Sequence, residues 1–587
     1  PPPKDTATPE IYTETKSSAA SDVYKRQGQM LNPDKPLYNM AMAFRIEGAL
    51  VPSIFNAAFQ MVIDENDALR TIFRELNGVP SQHIVDELRF DPELIDLSDS
   101  SSQAEAIDNL LTQRAQVKFS LAERLFDTVL IKLGSNQFVW FINQHHLICD
   151  AWAFALLYQR VAHYYQLAVE GKLGKLDKIK STPQFLDYRI AENQVRNSAE
   201  GHAASRYWAE KFVQDRPALE MYGCRVDSNS SATCRISCDI GQTRSEKLLA
   251  LSKISPIKSI SQDLSLYYIF STLLFAYMHR VSGRSNLVIG NPSHNRSTLS
   301  DKQTLGLFVE LLPLQLTIGP EDTFRTLVQS VIPEANNLLR SALPGVSSEV
   351  PGDCYSVVLN YLNVAFDDFY NMASHCSWIH SGHGDRGHAL RLQVHDFNRT
   401  GSFTLLFDVN KEIFPASIRD HVIGHFLNLV DALLNDLDTR LDHVSLLSRE
   451  ETELLAYSYN DTAAVLPHVS SILELFEEQV SAVPEATAVA QGKAELSYRQ
   501  LDQISGRIAS NLKRMGIGSE DIVAVYMDRS ISLVVSLVAI MKAGAAFVPI
   551  DSAFPEQRLA HVLEDSGCVL VLTSGDLKSA LPRTTTK

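Results

Sequence analysis

Two adjacent histidines and an aspartate stand close together in NQHHLICDAWAF, Asn143 to Phe154. The apolar run QFVWFIN leads into this stretch, and AWAFALLYQRVAHYYQLA leads out with the spacing of a helix. His145 and His146 are therefore expected on a tight strand-to-helix connection, where side chains can be aimed into a cleft from a rigid backbone. A neutral imidazole there suits acyl transfer, in which an attacking amine or hydroxyl must lose a proton. The N-terminus of the following helix would push the imidazole pKa downward. The same pattern also arises if Asp150 only N-caps the helix and the histidines make buried hydrogen bonds. Metal ligation is disfavoured, because adjacent histidines diverge whereas a helical pair spaced by four would not, and no further His, Cys or Glu lies in reach by sequence. G-x-S-x-G is absent, which argues against a serine acyl-enzyme. Cys149, beside Ile148 on the turn, reads as small-residue packing rather than as a nucleophile.

The elements that position these residues belong to a chain of 587 residues, 45% hydrophobic and 21% charged, long enough for two or more cores. A formal charge of −16 without a concentrated basic patch excludes a nucleic-acid partner. The seven cysteines are scattered and lack the paired short spacings of a zinc site, so a reducing, cytoplasmic setting is expected. The most apolar segment, Ile531 to Met541, is too short to span a bilayer, and the first residues lack a signal peptide's apolar core. No membrane partner is expected.

Residues 1–27 have no periodicity and read as a disordered or non-native tail. From Gly28 the pattern becomes regular. MAMAFRIEG alternates, placing Met42, Phe44 and Ile46 on one face of a half-buried strand. A helix follows from Pro52, with Ile54, Phe55, Ala58, Met61 and Val62 at helical spacing. Strands are expected at FVWFIN (138–143), SNLVIGNP (285–292) and FTLLFDV (403–409). The class is α/β, with two lobes at roughly 28–190 and 191–450. Patterning weakens over 451–470, where Asn460, Asp461 and Pro467 suggest a linker. Residues 471–587 begin a second α/β unit of strand, helix and strand, whose natural product is a parallel sheet; its pattern breaks off in a charged tail at Lys587, as if cut short.

The segment HHLICDA is joined in order by YNMAMAFRIEGAL, DALRTIF, TPQFLDY, SRYWAEKF, LGLFVELLPLQL and VVLNYLN. Together these resemble the condensation domain of nonribosomal peptide synthetases, whose signature is H-H-x-x-x-D-G, over residues 28 to about 450. The resemblance implies two chloramphenicol-acetyltransferase-like lobes forming a V, with the motif midway along a tunnel. It implies His146 as the catalytic residue, by proton abstraction or by positioning, with His145 and Asp150 in support. Arg296, in GNPSHNRS, would pair with Asp150 from the second lobe, and Asn360 would line the tunnel wall. Donor and acceptor carrier domains would present their cargo as phosphopantetheine thioesters, and the chain itself would need no cofactor and no metal. Ala151 stands where the family has glycine, Leu311 where it often has threonine and Glu310 where it often has asparagine. The family's first helix, expected before GQMLNPDKPLYN, is replaced by the tail.

LSYRQLD (496–502) and MKAGAAFVPIDSAFPEQRL (541–559) resemble early motifs of the adenylation domains of the acyl-adenylate-forming superfamily. That family's later phosphate loop is not in this sequence, and LTSGDL (572–577) is no substitute, so adenylation is not expected. No Gly-Gly-x-Ser carrier attachment motif occurs either, which makes the rest of a synthetase a required partner. The leading expectation is an amide-forming condensation enzyme. An ester-forming acyltransferase or an epimerase on the same scaffold is a second reading, and a non-catalytic carrier-binding scaffold a third.

Overall fold

The computed structural model describes residues 20–76, 79–172, 182–211, 219–226, 230–351, 354–465 and 468–582. The chain divides into two compact units that part between Ser458 and Tyr459.

The strand expected around Phe44 spans Asn39–Glu47. Met42, Phe44 and Ile46 join a core with Phe55, Phe59 and Val62 of the helix Pro52–Glu65 and Phe154, Tyr158 and Val161 of the helix Ala151–Val169. Burying each such side chain stabilises the fold by about 1.5–3 kcal/mol. The opposite face is not solvated as expected. Ala41 and Ala43 pack against Ile107, Leu111 and Ala115 of the helix Gln103–Ala115, and their small side chains let that helix come close.

Five strands form the first sheet, in the order Ala373–Ile379, Asn39–Glu47, Gln137–His145, Phe126–Gly134 and Glu93–Asp96. The strand Ala373–Ile379 comes from the second half of the unit and pairs antiparallel along Ala41–Glu47, which corrects the expected division of the lobes at residue 190. The pairing removes a row of open backbone groups from the edge of Asn39–Glu47. A second, six-stranded sheet runs Glu310–Thr317, Asn286–Ser293, Val357–Leu362, Leu390–His395, Thr404–Asn410 and Thr233–Asp239. Its core is the apolar length of the helix Gln262–Ser282, including Ile269, Leu273 and Phe275, together with Phe407, Phe426 and Leu429.

Both ends of this unit differ from expectation. A helix covers Ala20–Met30, across the boundary set at Gly28, while residues 1–19 of the expected tail lie outside the described residues. The helix Arg449–Ala456 occupies the start of the expected linker, where Ser448 and Glu451 form a reciprocal capping box. Pro467, Phe212 of the SRYWAEKF motif and the tail from residue 583 lie outside the described residues.

The second unit carries the predicted parallel sheet, ordered Ala546–Ile550, Ile522–Tyr526, Leu570–Thr573. Val523 and Val525 pack on Leu512 and Ile540 on one face, while Ala524 and Tyr526 meet Leu559 and Leu563 on the other. Among the described residues of the chain, no helix is long and apolar enough to cross a membrane.

Candidate active site

His145 is the last residue of the strand Gln137–His145, and Asp150 is the N-cap of the helix Ala151–Val169. The connection is held by its backbone. His145 N–H donates to Leu125 O and His146 N–H to Tyr38 O, both at 2.8 Å. The two imidazoles then differ in environment. His145 is buried at 1% exposure, edge-on to Tyr38 and Phe119, and its Nδ1 accepts from Leu147 N–H at 3.2 Å. His146 is half-buried and lines a cavity, and no side-chain hydrogen bond to its ring is found among the described residues. Burial, with the Lys25 ammonium second, holds both imidazoles neutral and lowers each pKa to about 3. The depression expected from the helix N-terminus is instead chiefly a desolvation effect.

Asp150 serves both as cap and as ion-pair partner. Its Oδ1 accepts from Ala153 N–H at 2.8 Å and its Oδ2 from Phe308 N–H at 3.0 Å. One guanidinium nitrogen of Arg296 lies 3.1 Å from both oxygens. Burial pushes the Asp150 carboxyl upward, but Arg296 and these backbone donors outweigh it and hold the pKa below the ordinary value. Arg296 also donates to the carbonyls of Asp301, Thr304 and Gly306, and stacks 3.8 Å above the Phe308 ring. The loop can come this close because Gly306 adopts φ +141° against Phe185, where a Cβ would lie 2.2 Å from the ring. Asp150 and Arg296 thus latch the motif helix to the segment after the strand Asn286–Ser293.

The remaining cavity wall is one face of the second sheet. Asn360, Arg391, Gln393, Asp408 and Arg235 all line it. Arg235 meets Asp408 through two bonds of 2.7 and 2.8 Å, Gln393 donates to Asp408 at 2.6 Å, and Asn360 lies 3.4 Å from Gln393. Arg391 pairs with the buried Asp385 at 3.0 Å. Lys25, inside the expected tail, also lines the cavity, as do Ala151, Leu311 and His294. Glu310 does not: it is buried and accepts from Gly345 N–H and Ser347 N–H at 2.6 and 3.2 Å. Cys149, at 1% exposure, packs against Met40 with its thiol pKa raised by burial, in line with a packing role.

His294, Arg235, Arg391 and Asp408 were missed by sequence reasoning. Arg391 did leave a signal in the alternation of LRLQVH, where Leu390, Leu392 and Val394 enter the core while Arg391 and Gln393 face the cavity.

A two-lobed mixed α/β unit with this histidine junction matches the family model described as the condensation domain, over residues 26–456. The chain belongs to that family, and its residues 476–587 match the model described as AMP-binding enzyme. Among curated relatives, one of the linear gramicidin synthase proteins of Brevibacillus parabrevis is 27% identical over 571 residues, which is 94% of this chain and 7% of that protein. Surfactin synthase subunit 1 of Bacillus subtilis is 28% identical over 569 residues, 92% of this chain and 15% of that protein. The chain therefore spans only a small part of the relatives it matches.

Solved structures share the fold. A holo four-domain nonribosomal peptide synthetase bound to AMP and glycine superposes with TM-score 0.71 at 19% identity, over 97% of this chain and 44% of that one. The starter condensation domain of rhizomide synthetase superposes with TM-score 0.64 at 22% identity, over 73% of this chain and 97% of that one.

Proposed function

We propose that this chain catalyses amide-bond formation between a carrier-bound acyl or peptidyl thioester and a carrier-bound aminoacyl thioester. The observation that carries the reading is the neutral His146 imidazole on the cavity wall, backed by the buried Asp150–Arg296 latch. The acceptor amine attacks the donor carbonyl carbon, the C–S bond breaks, and the amine proton passes to the departing thiolate. His146 accepts that proton in transit or orients the amine by a hydrogen bond. A thioester is already activated, so holding amine and carbonyl together supplies much of the rate, with effective molarities of roughly 10⁵ M or more in well-oriented systems.

His146 is the catalytic residue in this reading. Asp150, Arg296 and His145 are positioning residues, and Asn360 contributes to the wall that confines the substrates. The partners are donor and acceptor carrier domains of a synthetase, whose phosphopantetheine arms are substrates and not cofactors of this chain. The seven free cysteines accord with a reducing cytoplasm. Adenylation is not assigned to the second unit, because the phosphate loop of that chemistry is not in this sequence.

Loaded donor and acceptor carriers mixed with this chain test the proposal by intact-protein mass spectrometry. Donor mass should move to the acceptor, and the acid released when the acceptor thioester is cleaved should keep donor and acceptor joined by an amide that resists mild base. A released acid that mild base splits further would favour the ester-forming alternative, an inverted donor α-carbon the epimerase, and no transfer across several donors the scaffold.

A further inference from the structure

The helix Ala416–Asn435 carries His421 and His425 four residues apart, the spacing that brings two side chains onto one helical face. Their rings lie 5.8 Å apart and 23° from parallel. Glu451, on the helix Arg449–Ala456, meets both: its Oε1 is 2.7 Å from His421 Nδ1 and 2.9 Å from His425 Nε2. One ligand atom from each residue lies within 4.8 Å of the other two. We infer that His421, His425 and Glu451 form a binding site for a zinc-type divalent cation, with two imidazole nitrogens and one carboxylate oxygen as ligands.

The ligand chemistry and its surroundings both favour such an ion. Imidazole and carboxylate suit zinc at about 2.0–2.2 Å in a four-coordinate shell, which leaves one position for water. Ligand atoms on a tetrahedron of that radius sit about 3.3 Å apart, so admitting the ion requires the nitrogens to withdraw from Oε1 by about half an ångström. The His421 side chain, 48% exposed, has room to do so.

The remaining polar atoms are already oriented. His425 Nδ1 lies 3.0 Å from the Tyr222 hydroxyl, itself 2.8 Å from the Tyr277 hydroxyl, an outer contact that fixes the ring and leaves Nε2 for the ion. Glu451 Oε2 accepts from Ser448 N–H at 2.8 Å, which directs Oε1 toward the histidines.

A second observation gives the ion a role. The helix Arg449–Ala456 buries none of its residues. The contact of Glu451 with the two histidines ties it to the rest of the unit, just before the boundary at Ser458. A cation there converts a hydrogen-bonded contact into a coordinate clip on the last helix of the condensation domain.

The test is a calorimetric zinc titration of the chelator-treated full chain, repeated with cobalt to read the coordination by visible absorption. The wild type should bind one zinc ion with a raised melting temperature, and cobalt should give the intense bands of a four-coordinate site. His421→Ala should weaken zinc at least tenfold and lose both the cobalt bands and the thermal shift. Glu451→Gln should do the same while its amide oxygen preserves the helix cap, which separates lost ligation from a lost cap. Circular dichroism of the metal-free proteins should be unchanged, since His421 is half-exposed. A wild type that takes up no zinc, or one whose titration His421→Ala reproduces, overturns the site and leaves a hydrogen-bonded cluster only.

Discussion

On the wall of the cavity that carries His146, that residue and Asp150 come from one consecutive stretch, Asn143 to Phe154, whereas the other wall draws Arg235, Asn360, Arg391, Gln393 and Asp408 from four separate strands. In the first wall, strand end, turn and helix cap are local structures, so the proposed catalytic residue and its support lie within five positions of one another. In the second, each residue is an ordinary polar side chain until sheet pairing sets Asp408 opposite Arg235 and Gln393 opposite Asn360. An ion pair, Asp150 to Arg296, joins the first wall to the segment that follows the strand Asn286–Ser293 of the second sheet.

The largest effect should follow from breaking that joint. Asp150→Ala leaves the Arg296 guanidinium buried without its counter-charge and removes a helix cap; a cost of about 3–5 kcal/mol is expected. Chemical denaturation of the first unit measures it. A smaller loss, about 2 kcal/mol, is expected for Arg235→Ala in the second wall, because Asp408 keeps its bond from Gln393 and both partners of the lost pair retain some solvent contact. If both variants lost the same stability, the distinction between joint and wall would fail.

Acid should act on both walls at once. Burial lowers His145 and His146 to about 3 and His380, His388 and His395 to about 4, so the fold keeps them neutral where the unfolded chain takes up protons near 6.5. The unfolded state binds more protons in that window, and stability should fall as pH drops from about 6.5 toward 4, by up to about 1.4 kcal/mol per pH unit for each histidine. Denaturant midpoints across pH 4–8 check this. Since His146 stays neutral over the same range, its titration should add no acid limb to the transfer rate between pH 5 and 7.

The smallest effect is expected at Ala151. Restoring the family's glycine at the first helical position should cost less than about 1 kcal/mol and leave the transfer rate within twofold.

Legibility follows the same division. The 3.6-residue period after Pro52 and the alternation through Met42, Phe44 and Ile46 correspond to the observed helix and strand because both are short-range patterns. That Ala41 and Ala43 are buried as well was not legible, since it depends on the distant helix Gln103–Ala115. The strand Ala373–Ile379 was hidden for the same reason: its partner Asn39–Glu47 lies in the other half of the unit. The helix Arg449–Ala456 did leave a signal, Ser448-x-x-Glu451, overlooked beneath the turn-forming residues that follow it. His421 and His425 were likewise readable as a helical pair, but their third partner becomes evident only when Glu451 is folded against them.

The central claim is that His146 acts on the substrates while Asp150 and Arg296 hold it in place. Single-turnover transfer between loaded carriers, measured for the wild type and His146→Ala alongside their melting temperatures, tests it most directly. A rate loss of about 10²–10⁴-fold is expected with the melting temperature nearly unchanged, the range typical of a removed proton-transfer group. A His146→Ala protein that transfers at the wild-type rate would contradict it.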